Sequence, residues 1–131
     1  MSSLSFTIEG SLPGLNEIIA ANRVMAKTRT GRFIAYTENK RKVEEWIALC
    51  LLDQKLCCLE SFDAYFHWVE KNARRDPDNV AAGCKFIFDS LVRNAFITGD
   101  RAANVLSITH KFSVDARRPR VEVLLVENKK A

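Results

Sequence analysis

The 131-residue chain is predicted to form one α+β domain, a mixed β-sheet with helices packed on one face. Two observations predict this class. Apolar and polar residues alternate in stretches typical of half-buried strands, and other stretches repeat apolar residues at helical spacing. The predicted order is β-α-β-α-β-β. The length fits a single domain over residues 1–131, and no linker or internal repeat divides the sequence.

The first half of the chain is predicted to be a strand, a turn and a helix. Apolar residues alternate over 4–9 until Gly10 ends the pattern. A turn is predicted at 12–17 and a polar, basic loop at 28–31. Thr37 is expected to cap the helix that follows. The buried stripe of that helix is expected to comprise Val43, Trp46, Ile47, Cys50 and Leu51, and its exposed side Lys40, Arg41, Glu44 and Glu45.

A second strand and a second helix are predicted over the middle of the chain. The strand covers 61–70 and places Phe62, Ala64, Phe66 and Trp68 on one core face. Pro77 biases Asp76 toward an extended backbone, so Asp78 or Asn79 is expected to cap the helix. The helix should bury Val80, Cys84, Ile87, Phe88 and Leu91 and leave Lys85 and Asp89 on its exposed face.

The last third of the chain is predicted to be a loop and two strands. Gly99, in the loop at 94–100, is free to adopt a positive φ. The stretch 106–114 alternates as a strand with one buried face, and 121–126 is a more apolar strand. A turn separates them, so we expect a terminal hairpin.

Composition excludes several classes of protein. The four cysteines form no Cys-x-x-Cys pair, so reduced thiols are expected rather than a zinc site or disulfides. No stretch approaches the roughly 20 apolar residues of a membrane helix, and the first residues do not resemble a signal peptide. We therefore expect a cytoplasmic protein that does not bind membranes. His67 and His110 lack a second ligand at useful spacing and are expected to be structural.

Positive charge is concentrated in one part of the chain. The formal net charge is +4, and the stretch 23–42 contains a single acid, Glu38. Such a segment either binds a polyanion or forms a solvated loop, and the sequence favours neither. Its basic residues are Arg23, Lys27, Arg29, Arg32, Lys40, Arg41 and Lys42.

Carboxylates and basic residues are concentrated between 74 and 100. In an extended stretch, Asp76 and Asp78 would point to the same side, and the following helix and turn would return Asp100 to them. Oxygen ligands suit Mg²⁺ or Mn²⁺, and Lys85 could stabilise negative charge on a phosphate. Each acid also has a structural interpretation. Asp78 can cap a helix, Asp89 can pair with Lys85, and Asp100 can stabilise a turn.

The run Arg74-Arg75-Asp76-Pro77-Asp78-Asn79, the helix with Lys85 and Asp89, and Asp100 together resemble the signature of the RusA family of Holliday-junction resolvases. The segment 12–17 and the basic stretch after it also resemble that family. The resemblance implies that Asp76, Asp78 and Asp100 bind Mg²⁺ and that Lys85 acts in catalysis. Two departures stand out. About one extra helical turn precedes Lys85, and Gly99 replaces a frequent aspartate, which makes Asp89 an alternative ligand.

The resemblance also implies a function. We expect a Mg²⁺-dependent endodeoxyribonuclease, with Mn²⁺ as an alternative ion, that resolves Holliday junctions and other branched DNA in recombination and repair. A homodimer would match the two-fold symmetry of a four-way junction. Two alternatives are a non-catalytic nucleic-acid-binding accessory protein of the same fold and a small structural protein. The DNA-binding residues would be Arg23, Lys27, Arg29, Arg32, Arg74 and Arg75.

Overall fold

The computed structural model describes residues 2–14 and 29–129, with side chains described for 2–14 and 40–129. These residues form a four-stranded mixed sheet and helices, which confirms the α+β class. The elements are β1 (Ser3–Glu9), α1 (Arg29–Cys50), β2 (Phe62–Glu70), α2 (Pro77–Ala81), α3 (Cys84–Arg93), β3 (Val105–Val114) and β4 (Arg120–Glu127). Among the described helices, none is long and apolar enough to cross a membrane.

The sheet has the order β1-β4-β2-β3, so the two last strands of the chain are not neighbours. Strand β2 lies between them, parallel to β3 and antiparallel to β4. The predicted terminal hairpin is therefore wrong. The helices between β2 and β3 form the long connection that a parallel pair requires. Strand β4, with Val121, Val123 and Leu125 buried, fills the interior position between β1 and β2.

The helices cover one face of the sheet. The core face of β2 carries Phe62, Ala64, Phe66 and Trp68, all buried as predicted. Side chains from α1 and α3, including Ile47, Ile87 and Leu91, pack in the same core. On the opposite face Tyr65 and Leu124 are exposed. The prediction of one buried face fails on β3, because the helical layer leaves Ile108, Phe112 and Val114 exposed.

Helix α1 differs from its prediction in extent and orientation. It begins at Arg29 instead of near Thr37, so the predicted loop at 28–31 is wrong from Arg29 onward. Gly31 does not prevent this earlier start, because one glycine inside a helix lowers stability by only about 1 kcal/mol relative to alanine. Trp46 is 44 % exposed, with its indole N–H donating to the Glu9 carbonyl at 2.8 Å. Glu44 is buried because it shares the three-and-four spacing of Ile47 and Leu51.

The segment 12–14 packs against the junction between α2 and α3. A Cβ atom on Gly14 would lie 2.6 Å from the Asn79 carbonyl oxygen, and one on Gly83 would lie 3.3 Å from the Pro13 carbonyl oxygen. The helix predicted after Pro77 is therefore two helices, which meet at Gly83 beside this segment. Two motifs that are distant in the sequence thus lie in direct contact.

Candidate active site

Asp76 and Asp78 lie at the start of α2. Asp76 precedes the helix and is extended as predicted, with φ −69° and ψ 150°. Pro77 is the first helical residue, a position where its missing N–H leaves no hydrogen bond unmade. Asp78 therefore lies inside the first turn, and the prediction that Asp78 or Asn79 caps the helix is wrong. Asn79 is buried and Asp78 is exposed.

The carboxylates of Asp76 and Asp78 are open to a ligand from solvent. Asp76 makes no side-chain hydrogen bond to the end of the helix. Within the described part of the chain, neither carboxylate has a hydrogen bond or an ion pair. Carboxylate oxygens without a protein partner can bind a hard cation without first breaking an ion pair.

Lys85 lies between two other carboxylates. Its Nζ is 3.0 Å from Asp89 Oδ1, which confirms that the two residues share one face of α3. The same Nζ is 3.8 Å from Asp100 Oδ2. The turn after α3 therefore returns Asp100 to Lys85. Among the described residues, Asp100 does not converge with Asp76 and Asp78 as a set that could hold a metal ion.

Helix α1 adds a buried carboxylate that the sequence reading placed on the surface. Glu44 Oε2 lies 2.7 Å from Arg93 Nη1, and Lys40 Nζ lies 3.9 Å from Glu44 Oε1 and 3.8 Å from Asp89 Oδ2. Oε1 of Glu44 is buried and accepts no hydrogen bond from the described residues. We call the residues around this groove of about 470 Å³ the ionic cluster: Lys40, Glu44, Lys85, Asp89, Arg93 and Asp100.

The ionic cluster holds equal numbers of acids and bases. Lysine and arginine ions compensate carboxylates that would otherwise repel one another. Sequence reasoning missed Glu44 and Arg93 as members of the site. The available signal was the spacing of Lys40, Glu44 and Ile47, which places Glu44 beside the apolar stripe of α1.

The turn before Asp100 explains the glycine at position 99. Asn104 accepts the Arg101 N–H at 3.3 Å and donates to Thr98 Oγ1 at 3.1 Å and to the Glu60 carbonyl at 2.7 Å. A Cβ atom on Gly99 would lie 2.7 Å from Asn104 Oδ1. Gly99 has no positive φ, contrary to prediction. Close approach to Asn104, and not backbone strain, favours glycine there.

Two of the predicted DNA-binding arginines differ in their surroundings. Arg74 is exposed. Arg75 donates to Glu70 Oε1 at 2.8 Å and to the Leu12 carbonyl at 3.0 Å, so it ties the end of β2 to the segment 12–14. The side chains of Arg23, Lys27, Arg29 and Arg32 lie outside the described residues.

Both histidines lie on the sheet and are hydrogen-bonded. His67 Nδ1 lies 2.7 Å from Glu122 Oε1, and Nε2 lies 2.8 Å from Ser113 Oγ. The pKa of Glu122 is lowered chiefly by its hydrogen bond to His67. His110 Nδ1 accepts the Trp68 indole N–H at 2.8 Å, and burial lowers the pKa of His110. Neither histidine lines the ionic cluster.

The predicted ligands match Mg²⁺ in donor chemistry. Among the described residues, no three His, Cys, Asp or Glu side chains converge as a set that could hold a metal ion. Mg²⁺ is commonly bound by one or two carboxylates together with water and substrate phosphates, so a closed protein cage is not required. The open carboxylates of Asp76 and Asp78 fit this mode of binding.

No family model matches the chain, and no curated protein matches it. The function must therefore be inferred from the residues of the site and from the motif that they form.

Proposed function

We propose that this chain is a Mg²⁺-dependent endodeoxyribonuclease of the RusA type that cuts four-way junctions and other branched DNA. One observation carries the proposal. Two carboxylates without a described protein partner precede a helix on which Lys85 lies between two further carboxylates. Acids that can bind a metal ion, together with a cation that can face a phosphate, suit phosphodiester hydrolysis.

Asp76 and Asp78 would hold the ion. When bound, Mg²⁺ polarises a phosphoryl oxygen and makes water a better nucleophile. Lys85 is 69 % exposed, so its ammonium group can reach a phosphate in the groove. Asp89, 21 % exposed, is closer to Lys85 than Asp100 is, and it orients the lysine. Asp100 is then either a further ligand of the ion or a second residue that positions Lys85.

DNA would be held through its phosphates. Arg74 and the basic segment with Arg23, Lys27, Arg29 and Arg32 supply the positive charge. Contacts of this kind make affinity strongly salt dependent and little dependent on sequence. A homodimer would bring two sites to the two symmetric strands of a junction.

Labelled DNA tests the proposal directly. The purified protein is incubated with a four-way junction, a linear duplex of the same sequence or a single strand, in Mg²⁺ or in EDTA. We expect paired cuts in the junction with Mg²⁺ and none in EDTA. Cutting that persists in EDTA, or no cutting of any branched substrate, would contradict the proposal.

Two substitutions test whether the carboxylates of Asp76 and Asp78 are needed for cutting. Asp76→Asn and Asp78→Asn should each abolish cutting while binding to the junction survives, because the amide keeps the shape but loses the charge. Asp53→Asn, at an exposed aspartate in the turn after α1, is the matched control and should cut normally. Retained cleavage in both site variants would exclude the assignment.

A non-catalytic nucleic-acid-binding protein is the second candidate. It is favoured by one observation, that no three possible ligands converge within the described residues. Such a protein would bind the junction equally well in Mg²⁺ and EDTA and would never cut it. The same incubation therefore separates the two candidates.

A further inference from the structure

Strand β3 is an edge strand with a partly exposed apolar face. In the described part of the chain, its ten residues pair only with β2. Ile108, His110 and Phe112 lie opposite Ala64, Phe66 and Trp68 and so share their face of the sheet. Ile108 is 45 % exposed, Phe112 40 % and Val114 56 %. Long apolar edge strands are templates for another strand unless something blocks them.

The backbone of β3 is directed to accept a partner. The Asp115 N–H donates to the Glu70 carbonyl at 2.8 Å, so odd-numbered residues of this stretch direct their backbone groups toward β2. The pairing with β2 is regular from Ser107 to Val114, after a register shift at Leu106. Backbone groups alternate along a strand, so the even residues 108–114 direct their N–H and C=O groups to the open edge. Apart from His110, those even residues are apolar.

We propose that β3 pairs antiparallel with β3 of a second copy of this chain, about a two-fold axis at His110. The pairing joins two four-stranded sheets into one continuous sheet. This pairing involves β3 alone and does not depend on nuclease activity. A two-fold interface must be self-complementary, since residue i meets residue j and j meets i.

The sequence of β3 is self-complementary in this register. Each apolar residue meets another apolar residue, because Ile108 faces Phe112 and Leu106 faces Val114. On the other face Thr109 meets Lys111. An axis at Lys111 would place two ammonium groups opposite each other, and an axis at Thr109 would place Val114 against Asn104. An axis at Phe112 avoids both conflicts but pairs only residues 110–114, because β3 ends at Val114. The axis at His110 avoids both conflicts and pairs residues 106–114.

The rings around His110 support a second copy as the occupant. The imidazole stacks on Phe66 at a centroid distance of 5.5 Å and on Phe112 at 6.3 Å. A row of stacked rings thus runs from the core to the open edge. Pairing across the axis would continue the row, because His110 of the second copy would lie against His110.

The axis also makes the pairing sensitive to pH. His110 Nδ1 accepts the Trp68 N–H, so its neutral ring carries the proton on Nε2. The groups described around it are Phe66, Trp68 and Phe112, none of them charged, and burial alone lowers its pKa from 6.5. The one charged side chain of β3, Lys111, is on the opposite face. Protonation would set two imidazolium ions face to face.

Sedimentation equilibrium of the full chain tests the interface. The chain is expected to be dimeric at pH 7.5, and Ile108→Glu is expected to be monomeric and folded by circular dichroism. Leu124→Glu, at an exposed leucine on an interior strand, is the matched control and should remain dimeric. A monomeric parent chain, or a dimer that Ile108→Glu leaves intact, would overturn the proposal. Either result would leave the nuclease assay unaffected.

Mixing variants tests the register. Ile108→Glu mixed with Phe112→Lys should restore a dimer, because the two new charges face each other across the axis. Ile108→Glu mixed with Val114→Lys should not. Rescue by the second mixture instead of the first would overturn the axis at His110.

Lowering the pH tests the axis without introducing a charged residue by substitution. The dissociation constant should rise at least tenfold between pH 7.5 and 5.5, and His110→Gln should lose that dependence while it keeps an acceptor for Trp68. An identical pH dependence in both proteins would contradict the placement of His110 on the axis.

Discussion

The two acidic regions of the candidate site are built on different principles. At the start of α2, Asp76 and Asp78 have no described protein partner. In the ionic cluster, Glu44, Asp89 and Asp100 each lie against a lysine or an arginine. The first region can bind a cation without losing an ion pair. The second is already neutralised, and its ion pairs tie α1, α3 and the following turn together.

This difference separates two roles that acids can have in one site. Removal of an unpartnered, exposed carboxylate should change chemistry and leave stability unchanged. Removal of a buried, paired carboxylate should reduce stability, because its partner loses a charge-assisted hydrogen bond. The following substitutions test this distinction, in order of decreasing effect.

The largest effect is expected at α2. The double change Asp76→Asn with Asp78→Asn should slow junction cutting at least about 100-fold, which is about 2.7 kcal/mol in the barrier. The free energy of unfolding should change by less than about 0.5 kcal/mol, as for other exposed residues without partners. Single-turnover cleavage and urea unfolding measure the two quantities. A large loss of stability would show that these acids are structural.

The next effect is expected at Lys85 in the ionic cluster. Lys85→Ala should slow cutting about 10- to 100-fold, because one positive group near the phosphate is lost. Lys40→Ala is the matched control, because Lys40 also lies 3.8 Å from Asp89 but belongs to α1. It should change the rate less than about threefold, about 0.7 kcal/mol. Equal effects of the two changes would remove any special role for Lys85.

A smaller effect, on stability, is expected at Glu44. Glu44→Gln should lower the free energy of unfolding by about 1 to 2 kcal/mol, because the buried carboxylate loses its charge-assisted bond to Arg93. Glu45→Gln, at the next residue of α1, should change it by less than about 0.5 kcal/mol, because its pair with Arg41 is exposed. Urea unfolding at pH 7 compares them. Equal values would mean that burial of Glu44 has no energetic consequence.

The smallest effect is expected at Gly99. Gly99→Ala should lower the free energy of unfolding by about 1 kcal/mol, because the new Cβ would force the Asn104 side chain to move. Gly99→Asp should cost at least as much and should not increase cutting. Thermal unfolding and the cleavage assay measure both variants. A more stable, faster Gly99→Asp protein would show instead that the cluster lacks an acid.

Local pattern predicted most elements and part of the site. Alternation located the strands, and the spacing of Lys85 and Asp89 placed them on one face of α3, as the 3.0 Å ion pair confirms. The extended backbone of Asp76 followed from Pro77. These features depend on neighbours in the sequence, which is why one sequence was enough to predict them.

Other features were predicted wrongly because they depend on distant residues. Glu44 pairs with Arg93 of α3, and the Trp46 indole N–H donates to the Glu9 carbonyl instead of packing in the core. The predicted hairpin is wrong because β4 pairs with β1 and β2, and β2 separates it from β3. The role of Gly99 is visible only beside Asn104.

The sequence by itself determined the α+β class, the strands and helices, and the motif from Asp76 to Asp100 that carries the proposed chemistry. Hydrophobic periodicity and turn residues encode these features over short stretches. Only the tertiary structure decided the strand order, the pairing of Glu44 with Arg93 and the return of Asp100 to Lys85. It also placed β3 at an edge of the sheet. Contacts between residues far apart in the sequence set all of these, and no local pattern records them.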